Sequence, residues 1–324
     1  MAEPPASVTV IIPAFRSAAF IAPAVESALG QTLQPDVIVV DDASGDDTAD
    51  RAREAGAGSA RLRVLVQDTN QGPSAARNRA LDEARTKWVA LLDADDQMAP
   101  DRLERLVTGA EAKDWDIVGD DLIRVMPGQD RQAGRRHWSD VDFGEIELDF
   151  ARFVLENLYE ITGHGRELGY LKPLMRRDFL NRHALRYNTA MRLGEDFDLY
   201  ARALLAGARF GLVDPAGYYA LDRPGSLSKQ HKAADLREVW RADRAMMRAG
   251  LREADDREAL KAHMELAHKK WAWVRLIEAV RARNPVEAAA SFVAPPGVIV
   301  DLLQRVHEHF RSGGARDHLK GAHG

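Results

Sequence analysis

The most informative absence in this chain of 324 residues is cysteine, of which it has none. Without cysteine, disulfides, thiolate zinc sites and cysteine nucleophiles are excluded, and a reducing compartment is compatible with the composition. The chain also lacks the run of about 20 apolar residues that a membrane-spanning helix needs, and no charged and then apolar leader opens it. A net charge of −5 at pH 7 leaves no basic surplus, which argues against a dedicated nucleic-acid-binding protein. We therefore expect a cytoplasmic protein.

What is present is an alternation of short apolar segments and helical segments between residues 8 and 126. Five segments are β-branched and mostly apolar on both faces, as strands of a parallel sheet covered by helices are: VTVIIPAF, DVIVVDDAS, RLRVLVQD, KWVALLDAD and DIVGDDLIRV. Four segments with helical spacing lie between them. The pattern predicts an α/β fold with a mostly parallel, doubly wound central sheet flanked by helices. Ligands bind such sheets beyond the carboxyl ends of the strands.

The alternation stops after residue 126. The later segments predict loop and irregular strand over 127–150, a helix within DFARFVLENLYE, a helix after Glu195 and Asp196, a last strand near 209–220, and helices over 233–283 and 298–311. We expect a main domain over 1–232, which consists of the halves 1–126 and 127–232. A helical extension over 233–312 and a disordered tail over 313–324 are expected to follow it.

Three aspartates, Asp93, Asp95 and Asp96, directly follow the apolar segment WVALL. Like charges this close raise each other's energy, and a bound cation removes that cost. Mg²⁺ and Mn²⁺ prefer oxygen ligands, and Mg²⁺ is commonly held by one or two carboxylates together with substrate phosphates. A solvated acidic turn is the alternative. The position at the end of a fourth parallel strand, opposite Asp42 and the turn at Gly72, favours the cation site.

The segment NQGPSAARN predicts a turn and then a helix that begins near Pro73. Gly72 suits a positive φ angle, and the free N–H groups of the first helical turn attract anions. Arg77 lies one turn into this helix and is a candidate partner for a phosphate or for an aspartate of the acidic cluster. An exposed helix face is the alternative for this arginine.

Two further segments carry candidate chemistry. In LGEDFDLYARALL, Glu195 and Asp196 stand at the start of an apolar helix, where a capping acid and a general base look alike in sequence. In RPGSLSKQH, His231 is a candidate nitrogen ligand for a metal, and an ordinary surface loop is the alternative.

Five motifs, in chain order, resemble those of the family 2 glycosyltransferases of the GT-A fold: IIPAF, VVDDASGDDT, NQGPSAARN, LLDADD and GEDFDLYARAL. The resemblance implies an inverting enzyme that uses a nucleotide-diphosphate sugar and Mn²⁺ or Mg²⁺. The halves 1–126 and 127–232 would then bind the donor and the acceptor. GYLKPLMRRDFL further resembles bacterial exopolysaccharide glucosyltransferases of the succinoglycan type. The family resemblance implies UDP as the nucleotide. Together the two resemblances imply transfer of a hexose, with glucose as the expected sugar, from a UDP-sugar to a hydroxyl of a saccharide acceptor, such as a lipid-linked oligosaccharide.

The resemblance also implies roles for single residues. The donor pocket would contain Pro13, Phe15, Asp42, Asn70, Gly72, Arg77 and the DxD pair Asp93 and Asp95. The metal ligands would be Asp95, Asp96 and His231. Asp196 of the pair Glu195 and Asp196 would deprotonate the acceptor hydroxyl. Arg16 departs from the motif, in which an asparagine commonly follows the aromatic residue.

The acceptor side is expected from residues 137–190. Side chains there that could stack on or hydrogen-bond a sugar are His137, Trp138, His164, Tyr170, Lys172 and Arg176. The carboxy-terminal helices carry two apolar stripes, one through Trp273, Leu276, Ile277 and Val280, the other through Ile299, Leu302, Leu303, Val306 and Phe310. We consider two explanations for the stripes. They pack on the catalytic domain or on the sister subunit of a homodimer, or they rest on the inner-membrane surface that presents a lipid-linked acceptor.

Two other functional classes stay open. VIVVDDAS and VALLDADDQM also resemble receiver signalling modules, which bind Mg²⁺ through clustered aspartates, but the turn over 70–78 has no role in such a module. A non-catalytic nucleotide-sugar sensor would keep the donor pocket and lose the base, and the presence of Glu195 and Asp196 weighs against it.

Overall fold

The structure is a computed structural model that describes residues 8–158, 167–222 and 231–311. The chain divides into two compact units, Met1–Arg223 and Pro224–Gly324. The domain boundary after residue 232 and the division into halves at residue 126 stay predictions. The tail over 313–324 lies outside the described residues.

The first unit is built on two sheets. Its strands are β1 (Val8–Ala14), β2 (Asp36–Asp41), β3 (Leu62–Val66), β4 (Trp88–Leu91), β5 (Gln97–Met98), β6 (Ile117–Asp120), β7 (Ile123–Val125), β8 (Arg135–Arg136), β9 (Glu145–Leu148), β10 (Leu174–Arg176), β11 (Phe210–Val213) and β12 (Tyr218–Leu221). The larger sheet has the order β3-β2-β1-β4-β10-β6-β11-β9, and the smaller sheet has the order β5-β12-β7-β8. In the larger sheet only β9 and β10 run antiparallel to their neighbours. The predicted mostly parallel sheet is thus confirmed.

Helices cover this sheet. They are α1 (Ile21–Leu29), α2 (Thr48–Ala55), α3 (Pro73–Glu83), α4 (Arg102–Lys113), α5 (Phe150–Leu155), α6 (Arg177–Arg182) and α7 (Glu195–Leu205). α3 packs on β1 and β2, and α4 packs on β6. Because the central strands are covered, β4 is buried at all its residues and β1 at all but one. This burial is the physical reason for their continuous apolar sequences.

The strand order contains a switch point between β1 and β4. The chain runs outward from β1 to β2 and β3, and β4 then pairs with the other side of β1. Loops that leave neighbouring strands at such a point diverge and open a crevice at the carboxyl ends of the strands. The loops that contain Asp42 and the acidic turn (Asp93–Asp96) leave β2 and β4 at this edge.

Two segments that were each predicted as one strand form two strands in the structure. DIVGDDLIRV, predicted as one strand, divides into β6 of the larger sheet and β7 of the smaller sheet. The chain changes sheet at Asp121, whose two carboxylate oxygens accept hydrogen bonds from Trp138 N (2.7 Å) and Ser139 N (3.0 Å). The predicted strand near 209–220 likewise divides into β11 and β12. The antiparallel strand β10 was not predicted at all. Its three residues are too few for a period to emerge.

The second unit is helical, as predicted. Its helices are α8 (Ala233–Ala249), α9 (Ala254–Arg281), α10 (Pro285–Ala290) and α11 (Pro296–Arg311). Leu276 of α9 and Leu302 of α11 belong to one buried core, against which Trp273 and Val306 pack. These residues of the two stripes thus pack on each other, and packing on the catalytic domain or on a sister subunit stays a prediction. No described helix has both the length and the apolar character needed to cross a bilayer.

Candidate active site

Asp42, which follows β2, organises the loop that leads into α3. Its carboxylate accepts hydrogen bonds from Gln71 N (2.8 Å) and Gly72 N (2.7 Å), and from the amide side chain of Gln67. Its backbone oxygen accepts a hydrogen bond from Asn70 Nδ2 (3.2 Å). Gly72 has φ 90°, a conformation that favours glycine, as predicted. The structure therefore brings Asp42, Asn70 and Gly72 together, and their role in base recognition stays a prediction.

The loop after β1 lies beside the loop that Asp42 organises. Pro13, the residue before the last of β1, is half-buried, and Phe15 is 39% exposed. Arg16 has φ 50°, and its guanidinium carbon lies 5.2 Å from the centre of the Phe15 ring. The left-handed backbone at position 16 is one that asparagine adopts more easily than other residues with a side chain. This explains in physical terms why an asparagine suits the position that Arg16 occupies.

Arg77 of α3 is the centre of a buried charge cluster. Its Nη2 lies 3.1 Å from Asp93 Oδ1, and its Nη1 lies 2.7 Å from Glu195 Oε1 and 3.7 Å from Asp196 Oδ1. Only 5% of the Arg77 side chain is exposed. The predicted pairing of Arg77 with an aspartate of the acidic cluster is confirmed, and the alternative of an exposed helix face is wrong.

Contacts between α3 and the loop before α7 explain how residues so distant in sequence meet. The side-chain amide of Asn78 exchanges two hydrogen bonds of 2.8 Å with the backbone of Tyr187. Ser74 Oγ donates a hydrogen bond to Met191 O (3.0 Å). These contacts fix the loop on α3, and the chain then enters α7 at Gly194, whose φ of 71° suits glycine.

Lys172 is the second cation of the cluster. Its Nζ donates a hydrogen bond to Asp196 Oδ2 (2.8 Å) and lies 3.4 Å from Asp93 Oδ2. The lysine side chain is 7% exposed. Sequence reasoning assigned Lys172 to the acceptor side and missed this pairing. The available signal was a lysine among apolar neighbours in GYLKPLM, because a buried lysine needs a charged partner.

The electrostatics of the cluster favour the ionised forms of Arg77, Lys172 and Asp93. Burial alone would lower the pKa of Arg77, but the carboxylates of Asp196, Asp93 and Glu195 raise it well above the usual range. Burial also opposes the charge of Lys172, and Asp196 and Asp93 outweigh it and raise the lysine pKa. Burial alone would raise the pKa of Asp93, but Lys172 and Arg77 hold it below the usual range. Opposite charges within a few ångströms produce these directions.

Asp196 differs from the other carboxylates in one respect. Its Oδ2 is held by Lys172, whereas its buried Oδ1 has no hydrogen-bond partner among the described residues. Only 10% of the side chain is exposed. Nearly all buried polar atoms in proteins are hydrogen-bonded, so an unpartnered carboxylate oxygen is notable beside the acidic turn. An oxygen of this kind can accept a proton.

The acidic turn (Asp93–Asp96) is held from the smaller sheet. Asp96 Oδ2 accepts a hydrogen bond from Tyr218 Oη (2.7 Å), and Asp96 Oδ1 accepts one from Leu221 N (2.8 Å). Burial and the neighbouring charges of Asp93 and Asp95 raise the pKa of Asp96 well above its usual range. Both oxygens of Asp96 thus accept hydrogen bonds within the fold. The assignment of Asp96 as a metal ligand stays a prediction.

The binding of a divalent cation at the acidic turn (Asp93–Asp96) stays a prediction. Among residues 8–158, 167–222 and 231–311, no three Asp, Glu or His side chains form a group that could hold a metal. A site completed by diphosphate oxygens needs only one or two carboxylates, and the half-buried Asp95 stays the first predicted ligand. His231 precedes α8 in the second unit, and its assignment as a ligand stays a prediction.

The other residues expected on the acceptor side lie in different surroundings, and their contact with an acceptor stays a prediction. Arg176 pairs in register with Trp88 at the start of β4, which is the end of the strand opposite to Asp93. It lines a cavity of about 390 Å³ that does not include the residues of the charge cluster. His137 is buried, with its ring nitrogens 3.0 Å from Arg124 Nε and 3.0 Å from Glu167 O. His164 lies outside the described residues.

Comparison with known proteins assigns the chain to a family. The family model described as Glycosyl transferase family 2 matches residues 9–179, more than half of the chain. The chain belongs to the family 2 glycosyltransferases. The alternative of a receiver signalling module is therefore wrong, and the predicted family is confirmed.

Two relatives from Rhizobium meliloti (strain 1021) match most of the chain. The succinoglycan biosynthesis protein ExoU is 42% identical over 80% of this chain and 74% of its own length. The succinoglycan biosynthesis protein ExoO is 32% identical over 95% of this chain and 87% of its own length. The predicted resemblance to proteins of the succinoglycan type is confirmed.

Solved structures share the GT-A fold. S. aureus TarS 1–349 in complex with UDP has a TM-score of 0.65 and 20% identity, and covers 95% of this chain and 92% of its own. The mannosyltransferase PcManGT from Pyrobaculum calidifontis, in complex with GDP-Man and Mn²⁺, has a TM-score of 0.57 and 18% identity, and covers 92% of this chain and 86% of its own. At these identities the likeness concerns the fold alone.

Proposed function

We propose that this family 2 glycosyltransferase is an inverting, metal-dependent enzyme of bacterial exopolysaccharide synthesis. It transfers a hexose, which we propose to be glucose, from a UDP-sugar to a hydroxyl of a saccharide acceptor. The observation that carries the proposal is the buried Oδ1 of Asp196, which has no hydrogen-bond partner among the described residues and lies in one cluster with Asp93 of the acidic turn.

In the proposed mechanism Asp196 is the general base. Lys172 holds Oδ2, so Oδ1 is the atom that takes the proton from the acceptor hydroxyl. As the acceptor oxygen loses this proton, it attacks the anomeric carbon on the face opposite to the nucleoside diphosphate. The bond between that carbon and the diphosphate breaks in the same step, so one displacement inverts the configuration. Arg77 and Lys172 compensate the charge of Asp93 and Asp196 throughout the reaction.

A divalent cation held by Asp95 and substrate phosphates would neutralise the charge that develops on the departing diphosphate. The Mn²⁺ and GDP-Man complex of a fold neighbour supports divalent cation use. The UDP complex of another supports a nucleotide diphosphate as product, and the names of the two Rhizobium relatives support exopolysaccharide synthesis.

A nucleotide-sugar panel tests the proposal. Purified protein is incubated with UDP-, GDP- and dTDP-hexoses, Mn²⁺ and a saccharide acceptor, and release of free nucleoside diphosphate is measured. We expect release from UDP-glucose that stops with excess chelator and is restored by added Mn²⁺. Calorimetry with UDP, GDP and dTDP, with and without Mn²⁺, identifies the nucleotide. Binding without any release would instead support the nucleotide-sugar sensor.

We further propose a lipid-linked acceptor at the cytoplasmic face of the inner membrane. The second unit leaves Val280, Leu303 and Phe310 exposed at 62%, 55% and 77%, although other residues of the same stripes are packed. Exposed apolar side chains beside basic ones are typical of helices that lie on anionic membranes. Flotation with anionic liposomes at low salt is expected to bring the protein to the top of the gradient. Protein that stays at the bottom would exclude this membrane role and leave contact between subunits.

A further inference from the structure

Tyr218 of β12 links the smaller sheet to the acidic turn (Asp93–Asp96). Its hydroxyl oxygen accepts a hydrogen bond from Asp93 N (3.1 Å), and the same hydroxyl donates one to Asp96 Oδ2 (2.7 Å). One buried oxygen therefore joins the first residue of the turn to its last residue. Leu221 N, on the same strand, donates to the other oxygen of Asp96 (2.8 Å). The turn is thus held at three points by one strand.

Tyr218 is itself fixed by a buried ion pair. Asp120 Oδ2 accepts a hydrogen bond from Tyr218 N (3.3 Å), and the guanidinium carbon of Arg102 lies 4.9 Å from the centre of the Tyr218 ring. Arg102 and Asp120 are paired at 2.6 Å, and neither side chain is exposed. The ring has no exposed surface either. A hydroxyl held this rigidly determines the position of the groups that it bonds.

The acidic turn needs such support because its charges repel. Asp93, Asp95 and Asp96 lie within four residues, and Asp93 is also drawn toward Arg77 and Lys172. Without the hydroxyl, the amide of Asp93 and one oxygen of Asp96 would lose their partners. The turn would then be free to move away from the position that a diphosphate and its cation require.

We propose that Tyr218 is a positioning residue for the donor site: it holds the acidic turn in the conformation that binds the nucleoside diphosphate and its cation. This inference rests on the proposed function. Tyr218 acts through Asp93 and Asp96 and is assigned no contact with the substrate. Residues that orient metal ligands commonly contribute 10- to 100-fold to affinity, and we expect an effect of about that size here.

The test compares Tyr218→Phe with a matched variant, Tyr219→Phe. Tyr219 is the next residue of β12, pairs in register with Gln97, and has its ring 5.4 Å from the guanidinium carbon of Arg131. Successive side chains of a strand point to opposite faces, so Tyr219 is a control for any general damage to β12. The measurement is the Kd of UDP, GDP and dTDP in the presence of Mn²⁺, by calorimetry on the full chain.

We expect Tyr218→Phe to weaken binding of the diphosphate by about 10- to 100-fold, and Tyr219→Phe to bind like the wild type. Hydrogen exchange is the second readout. Peptides that cover residues 88–98 should take up deuterium faster in Tyr218→Phe alone, because the amide of Asp93 has lost its acceptor. A purely structural role would lower the Tm and leave both the Kd and the local exchange of the folded protein unchanged.

The outcomes separate this inference from the proposed function. If the wild type binds a diphosphate with Mn²⁺ and Tyr218→Phe binds it equally well, the positioning role is overturned and the proposed function stands. An equal loss in Tyr219→Phe overturns it as well, since the effect would belong to the strand. If the wild type binds none of the three diphosphates, the proposed function fails and this inference fails with it.

Discussion

Two buried charge clusters of the first unit differ in how completely their atoms are paired. In the first, Arg102 and Asp120 are fully buried, and Arg102 Nη2 lies 2.6 Å from Asp120 Oδ1. The other oxygen of Asp120 accepts hydrogen bonds from Ala216 N (3.1 Å) and Tyr218 N (3.3 Å). No oxygen of this carboxylate is left for a ligand, so the first cluster serves the fold.

The second cluster, which consists of Arg77, Lys172, Asp93, Glu195 and Asp196, is incomplete. One oxygen of Asp196 has no hydrogen-bond partner among the described residues, and 30% of the Asp93 side chain is exposed. Burying a charge with imperfect pairing is costly, and proteins accept that cost where a ligand or a reaction completes the pairing. The difference teaches that buried charge alone does not identify an active site: the first cluster is completed within the fold, whereas the second keeps a carboxylate oxygen that a ligand or a proton could use.

The change Asp196→Asn should have the largest effect. An amide of the same shape cannot take the proton of the acceptor hydroxyl, so kcat should fall by about 10²- to 10⁴-fold. The Kd of UDP, measured by calorimetry, should change little. Asp198→Asn is the control, because Asp198 is a buried acid of the same helix whose carboxylate pairs with Arg202 at 2.6 Å. Full turnover in Asp196→Asn would show that the base is another residue.

Arg102→Met tests the complete cluster. It leaves Asp120 buried without its cation, and breaking a buried pair in this way commonly costs about 3–5 kcal/mol. We expect the free energy of unfolding, measured by urea denaturation, to fall by that amount. A loss below about 1 kcal/mol would mean that the two clusters do not differ in the way their pairing indicates.

Lys172→Met tests the incomplete cluster. Asp196 Oδ2 loses its donor, while Arg77 still stands 3.7 Å from Oδ1. A hydrogen bond to a charged group contributes about 1.5–3 kcal/mol, so we expect kcat to fall by about 10- to 100-fold. The loss of unfolding free energy should be smaller than for Arg102→Met. The opposite order of stability would contradict the distinction between the two clusters.

Lys87→Met should have the smallest effect. Lys87 Nζ and Glu111 Oε1 lie 2.5 Å apart, but 43% and 38% of these side chains are exposed. Exposed pairs contribute at most about 1 kcal/mol, because water screens the charges and the side chains lose freedom when they pair. Urea denaturation should therefore detect a change below that limit. A loss as large as that expected for Arg102→Met would show that a short distance matters more than burial.

Much of the donor side could be predicted from short segments. The strand before Asp93, the turn at Gly72 and the helix that carries Arg77 each depend on neighbouring residues, and the repeated α/β alternation places their ends at one edge of the sheet. An aspartate of the acidic cluster was one of the two partners predicted for Arg77, for the same reason. Local pattern was sufficient wherever the contacts join loops from adjacent parallel strands.

The predictions that the structure corrected or extended involve segments from residue 116 onward. DIVGDDLIRV has the composition of one strand, and only the packing of Asp120 against Arg102 and of Asp121 against a later loop shows that it divides. Lys172 could be assigned to the acceptor side from its position in the chain, because nothing in GYLKPLM indicates which carboxylate it meets. Side-chain partners far apart in sequence leave no period or spacing for pattern analysis to detect.

The sequence by itself determined the family, the mostly parallel sheet and the position of the acidic turn, because periodicity, turn residues and motif order are local properties. Only the tertiary structure decided which oxygen of Asp196 is unpartnered, that Lys172 holds the other oxygen, and that Tyr218 supports the acidic turn. Those facts depend on distances between residues up to 125 positions apart, as for Asp93 and Tyr218. Such distances are set when the whole sheet closes around its core.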